Sequence, residues 1–198
     1  MRTGERNVFG SQNFQKMKNK KYILIGIPNC GKSTLGRRVA EVLQLPFFDT
    51  DKITMEKMGA KNPADFFRFA LNGQFMLGQF KIMHELAEFE GPAIIATGAE
   101  VALMPECAEL MKTMGVVIHI RREGEIAIAG LKGKGKSRLV LHNEKNGEKI
   151  DTQEKVVQLY LKELAQYEAL ADFAFENNGG EDEGLEKLLG IIRKNEKH

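Results

Sequence analysis

The sequence predicts an α/β domain with a parallel sheet flanked by helices on both faces. Short apolar runs without internal charge, Tyr22–Ile25, Ala93–Ala96 and Val116–Ile120, alternate along the chain with segments whose apolar residues recur at helical spacing. Proline and glycine punctuate the chain between such segments at Pro46, Asn62-Pro63 and Gly91-Pro92.

A strand over 22–27 runs through a glycine-rich turn into a helix from Lys32 to about Gln44, on which Leu35, Val39, Val42 and Leu43 share one side. Pro46 ends it, and a short strand, Phe47-Phe48, follows. Helical segments are predicted from Asp51 to Met58 and from Ala64 to about Leu71, then a longer helix from Phe75 to Phe89. After the strand Ala93–Ala96 come a helix from Met104 to Met114, the strand Val116–Ile120 and a helix from Glu123 to Leu131. A Gly/Lys-rich loop, a long helix from Thr152 to Ala171, a strand Phe173–Phe175 and a terminal helix from Glu183 to Arg193 complete the pattern, with no internal repeat.

The 198 residues, 42% hydrophobic and 28% charged, suit one domain over 22–198, preceded by a flexible basic leader over 1–21 that lacks the apolar centre of a secretory signal. Two cysteines make no disulfide framework, and no apolar run approaches the ~20 residues that span a bilayer. A cytoplasmic monomer acting without a membrane is therefore expected. A net charge of +2 is too small to argue for nucleic acid. The run Lys132-Gly133-Lys134-Gly135-Lys136 is glycine-spaced, not a basic face; the segment 132–149 is read as a mobile lid of the kind that closes over phosphates.

Residues 26–34, Gly-Ile-Pro-Asn-Cys-Gly-Lys-Ser-Thr, complete the G-x-x-x-x-G-K-[ST] phosphate loop directly after the first strand. Glycines at that spacing let the backbone curl until successive N–H groups, with the following helix N-terminus, hold phosphate oxygens. Gly26, Asn29, Cys30, Gly31, Lys32, Ser33 and Thr34 are the nucleotide-binding candidates, Lys32 bridging the β- and γ-phosphates of ATP and Ser33 holding Mg2+. Asp49 and Asp51, two positions apart at a strand end, point the same way if the chain stays extended. Asp49 then approaches the Mg2+ shell and Asp51 an acceptor hydroxyl, the alternative being a cap pair for the next helix. His84, His119, His142, Tyr160, Leu164 and Tyr167 are read as structural, and Cys30 as a small filler.

With these residues in view the chain resembles the shikimate kinase family of P-loop kinases. The resemblance runs from the phosphate loop through Leu45-Pro46-Phe47-Phe48-Asp49-Thr50-Asp51, Ala96-Thr97-Gly98-Ala99-Glu100 and Arg138-Leu139-Val140-Leu141 to the segment Glu163–Asp172. It implies a P-loop kinase fold with a mobile lid, ATP and Mg2+ as cofactors, a small-molecule hydroxyl as acceptor, and Gly98 and Ala99 beside that acceptor. Lys32, Asp51 and the lid arginine Arg138 are implied as catalytic, with Asp51 and Arg138 also touching the acceptor.

The departures implied by this resemblance fall on the acceptor side. The family's "Gly-Glu-x-x-Phe-Arg-x-x-Glu" segment, whose arginine clamps the shikimate carboxylate, laid on Gly73–Lys81 puts Gly78 at that arginine. Glu163 falls at a second carboxylate-binding arginine and Glu100 at a glycine of the acceptor loop. The pocket would then be about four charge units more negative than in the family. The expected function is ATP- and Mg2+-dependent phosphoryl transfer to a small-molecule hydroxyl with the carboxylate clamp lost. The alternatives are a nucleotide-binding regulatory protein with little turnover, which would act on a protein partner, and a genuine shikimate kinase.

Overall fold

The computed structural model describes residues 20–60, 73–132, 161 and 163–196. Its five strands are β1 (Lys21–Ile25), β2 (Phe47–Asp49), β3 (Ala93–Ala96), β4 (Gly115–Arg121) and β5 (Phe173–Glu176), ordered β2-β3-β1-β4-β5 with every pair parallel. The helices are α1 (Lys32–Leu43), α2 (Thr50–Lys57), α3 (Gln74–Glu88), α4 (Pro105–Met114), α5 (Gly124–Lys132), α6 (Leu164–Leu170) and α7 (Glu181–Asn195), with a 3-10 turn over Ala99–Leu103.

Parallel neighbours need crossover connections, and right-handed crossovers decide which face each helix covers. The chain leaves β1 toward β2, whereas the steps β2 to β3, β3 to β4 and β4 to β5 all run the other way, so α1 takes one face and the crossover helices between β2 and β5 take the other. Accordingly α1 packs on β3 and on α7, while α3 packs on α2 and α4. Strands covered on both sides become uniformly apolar: Tyr22, Ile23, Leu24 and Ile25 are all fully buried, as are Ile94, Ile95, Val117 and Ile118. The direction reversal between β1 and β3 opens a crevice at the carboxyl ends of the strands, where ligands of open α/β sheets bind.

Three expectations are corrected. Val42 is 51% exposed and does not share the buried side of α1, which Leu35 and Val39 carry; the face in contact with the sheet is narrower than the apolar pattern. Asp49 and Asp51 do not lie on one extended segment, because Asp49 ends β2 and its Oδ1 accepts the Lys52 N–H, starting α2 at Thr50. The helix predicted from Thr152 to Ala171 contains a helix start, since Glu163 caps α6; residues 151–160 lie outside the described residues. The helix predicted over Ala64–Leu71 and the lid beyond Lys132 also lie outside them. Among the described residues no helix is long and apolar enough to cross a membrane.

Candidate active site

The loop between β1 and α1 is shaped by backbone that only glycine adopts freely. Gly26 has φ +139° and Gly31 φ +109°. A Cβ at Gly26 would stand 2.5 Å from the Ile120 carbonyl oxygen, and one at Gly31 2.6 Å from Asn177 Nδ2. Asn29 also takes a left-handed conformation, φ 61°, and its side-chain amide donates to the Ala127 carbonyl of α5 at 2.9 Å. Within the loop, Cys30 N–H donates to the Ile27 carbonyl at 3.3 Å. The buried Lys32 ammonium donates to the Gly26 and Ile27 carbonyls at 2.8 and 2.9 Å and lies 3.7 Å from Cys30 Sγ. The lysine charge is thus held against the loop before any ligand is considered.

α1 begins with no side-chain cap and no acidic residue in its first turn. Its first internal bond is Leu35 N–H to the Gly31 carbonyl, so the amides ahead of Leu35 have no helical acceptor and the positive end of the helix dipole faces the loop. That set, amides without a helical acceptor, a confined ammonium and a tight glycine-dependent turn, fits a polyphosphate. Ser33 lies in the first turn of α1 and Asp49 ends β2, and these are the residues that could hold Mg2+. Among the described residues no three His, Cys, Asp or Glu side chains converge on a metal position; a hydroxyl and a carboxylate are oxygen donors of the kind a hard cation takes. When bound, ATP and Mg2+ supply the phosphoryl group and the charge that bridges its oxygens.

The acceptor side is assembled from side chains. Gln79 on α3 is buried and donates its Nε2 to Asp51 Oδ1 at 2.7 Å. Gly98, just past β3, donates its N–H to Thr50 Oγ1 at 3.0 Å, and a Cβ there would lie 2.5 Å from Asp51 Oδ1. Thr97 anchors the same turn, with both its N–H and its hydroxyl 3.1 Å from the Leu24 carbonyl. Ala99 accepts the Tyr167 hydroxyl at 3.0 Å. That phenol is pushed well above its usual pKa by burial and then by nearby negative charge, including Glu100 and Glu163.

Gly78 lies elsewhere. A Cβ on it would meet Thr54 Cγ2 at 2.6 Å and Met58 Sδ at 3.4 Å, which places it at the α2–α3 crossing and not beside Asp51. The α3 residue that reaches Asp51 is Gln79.

Beneath the phosphate loop, His119 of β4 is fully buried, stacks on Tyr167 at 5.3 Å between ring centroids, and has no hydrogen-bond partner among the described residues at either ring nitrogen. Burial, helped by Arg121 and Lys32, lowers its pKa to about 4. It is a neutral ring at neutral pH. His84, by contrast, is exposed on α3 with its ring edge-on to Phe80.

The structure therefore brings Gly26, Asn29, Cys30, Gly31, Lys32, Ser33 and Thr34 to one loop, and Asp49, Asp51, Gly98 and Ala99 to the neighbouring strand ends. Arg138 and His142 lie outside the described residues. Sequence reasoning missed Gln79, Thr50 and Asn177. Gln79 carried a signal, a polar residue at a core-facing position of a helix, whereas nothing local marks Asn177, which meets the loop across 147 residues of chain.

Comparison with known proteins agrees with this arrangement. The family model described as "Shikimate kinase" matches residues 28–193. A shikimate kinase of Clostridium beijerinckii is 32% identical over 164 residues, 82% of this chain and 88% of that protein. One from Clostridium botulinum is 31% identical over 179 residues, 90% of this chain and 100% of that protein. Among solved structures, a shikimate kinase from Acinetobacter baumannii in complex with shikimate superposes with a TM-score of 0.75 at 23% identity, covering 92% of this chain and 98% of that one. The phosphate loop, the parallel sheet and these relatives converge: the chain belongs to the shikimate kinase family, and is an ATP- and Mg2+-dependent small-molecule kinase.

Proposed function

We propose that this chain, a single cytoplasmic and monomeric kinase domain over 22–198, phosphorylates a hydroxyl of a small neutral or cationic polyhydroxylated acceptor. Lys32 and the loop amides neutralise phosphate charge, Ser33 and Asp49 organise Mg2+, and Asp51 orients the acceptor hydroxyl or takes its proton. Arg138 stabilises the transferring phosphate.

The observation that carries the acceptor reading is the seating of Gln79 on Asp51 while Gly78 faces α2. If the last glutamate of the family segment corresponds to Gln79, the phenylalanine of that segment falls on Phe75 and its arginine on Met76. The clamp position is then uncharged, two residues from where the sequence alone puts it. Glu100 and Glu163, near enough to act on the Tyr167 hydroxyl, add negative charge around the acceptor turn. At about 6 Å and an effective dielectric of ~20, each like-charge contact costs a bound carboxylate on the order of 3 kcal/mol.

The test is ATP consumption against neutral, cationic and anionic polyols, with shikimate in the anionic arm. A neutral or cationic compound used at least about tenfold better in kcat/KM than shikimate supports the reading. Met76→Arg is expected to raise shikimate use by restoring a planar, bidentate donor. The relatives at 31–32% identity favour a second reading, in which shikimate itself is the acceptor. Efficient use of shikimate by the unmodified protein, with a KM between about 1 μM and 1 mM, selects that reading.

A further inference from the structure

In a loop whose N–H groups face an anion, the carbonyls of the same peptide units must face outward, because a trans peptide sets its C=O and N–H antiparallel. No cis peptide is present among the described residues. The outward carbonyls then need donors of their own, and two are met by side chains that follow the carboxyl ends of β4 and β5. Arg122 Nη1 reaches the Asn29 carbonyl at 3.4 Å, and Asn177 Nδ2 reaches the Cys30 carbonyl at 2.7 Å.

We propose that Asn177 is a positioning residue of the phosphate site: by holding the Cys30 carbonyl outward, it turns the Gly31 N–H toward the phosphate. Its backbone is held by one hydrogen bond, and its side chain by the Cys30 carbonyl and by close packing against two glycines. Asn177 is buried just past β5, and its own N–H donates to the Arg121 carbonyl at 2.9 Å, continuing the ladder with β4. Its Nδ2 lies 2.6 Å from where a Cβ at Gly31 would be, closer than a side chain there would allow, so the glycine of the loop leaves the amide its space. Its Oδ1 lies 2.5 Å from the Cβ position of Gly184, so α7 also leaves room for it. An amide wedged between two glycines on different elements cannot rotate, and the peptide plane it holds is fixed with it. The inference rests on reading residues 26–34 as the polyphosphate site.

The test compares wild type with Asn177→Ala and Asn177→Asp by calorimetry, using Mg-ATP and adenosine as separate probes and thermal melting as the check on folding. Loss of one buried hydrogen bond is expected to weaken Mg-ATP binding roughly tenfold in the alanine variant, and further in the aspartate variant, whose carboxylate faces a carbonyl oxygen. Adenosine, which has no phosphate, should bind within about twofold of wild type. A folded Asn177→Ala protein with Mg-ATP affinity within about twofold of wild type, or with equal losses for both probes, overturns the inference alone. Wild type that binds no Mg-ATP overturns it together with the phosphate-loop reading. If neither variant folds, the Gly31 amide of labelled wild type decides. Magnesium tripolyphosphate should move its proton resonance downfield as a hydrogen bond forms, and no movement refutes the proposal.

Discussion

The phosphate side and the acceptor side of this site lie at neighbouring strand ends yet are built by different means. On the phosphate side the working groups are backbone amides, and the residues that matter are glycines and the donors that tether carbonyls. On the acceptor side the working groups are side chains, Asp51 and Gln79, brought together by two helices that cross at Gly78 and Thr54. A backbone site tolerates almost no change in its own sequence, whereas a side-chain site can be re-specified by single substitutions while the fold stands. One nucleotide chemistry can in this way serve different acceptors.

The largest effect that separates the two sides should come from Lys32→Ala. With its ammonium gone from the loop carbonyls, Mg-ATP binding should weaken and turnover fall by about 1000-fold or more; calorimetry and a coupled assay measure both. Unchanged affinity and turnover would remove the division, since the phosphate side would not depend on the confined ammonium of Lys32.

Asp51→Asn is the matching change on the other side. Turnover should drop roughly 100-fold while Mg-ATP affinity stays close to wild type, because an orienting or proton-accepting group acts in the transition state. Equal losses in nucleotide affinity and turnover would merge the two sides into one.

The shared floor of the site can be read through pH. His119 is neutral when folded, with its pKa lowered to about 4, whereas the unfolded chain has it near 6.5. Between those values the unfolded state takes up a proton that the folded state refuses. Stability contributed by the neutral ring is therefore present above about pH 6.5 and lost as pH falls toward 4, roughly 2 kcal/mol between pH 7 and pH 5. His119→Phe, keeping the stack on Tyr167, should flatten that part of the stability profile in urea melts at the two pH values; an unflattened profile would locate the acid sensitivity elsewhere.

The smallest expected effect is at the helix crossing. Gly78→Ala gains helix propensity but forces Thr54 aside, a net loss of roughly 1 kcal/mol, with ATP affinity unchanged. A stabilised protein would mean that α2 and α3 are less tightly set than the acceptor reading needs.

The phosphate side was legible in the sequence because its geometry follows from local spacing. A strand, Gly26, Gly31, Lys32 and a helix start are consecutive, and the backbone they dictate needs little help from elsewhere. The inner strands were legible for a similar reason, burial on both faces leaving the runs Tyr22–Ile25, Ala93–Ala96 and Val116–Ile120 uncharged. The acceptor side was read two residues away from the placement proposed for it, with Gly78 taken for the clamp position where Gln79 reaches Asp51. A helix face turns about 100° per residue, so the side that meets Asp51 is decided by where α3 crosses α2, and nothing in the nine residues Gly73–Lys81 states that crossing. Asn177 was illegible for a third reason. Its partner is distant in sequence, and an asparagine after a strand is an ordinary turn residue until the loop it touches is known.

β1 occupies the centre of the sheet although it precedes every other strand in the chain. Lys21 pairs with Ala93 on one side and with Gly115 on the other. At a synthesis rate of about 5–20 residues per second, both edges of this apolar strand stay unpaired for several seconds after it is made. Its Tyr-Ile-Leu-Ile run is then an open template for other chains. The arrangement that places the phosphate loop at the middle of the sheet also leaves its apolar support without strand partners until β3 and β4 arrive.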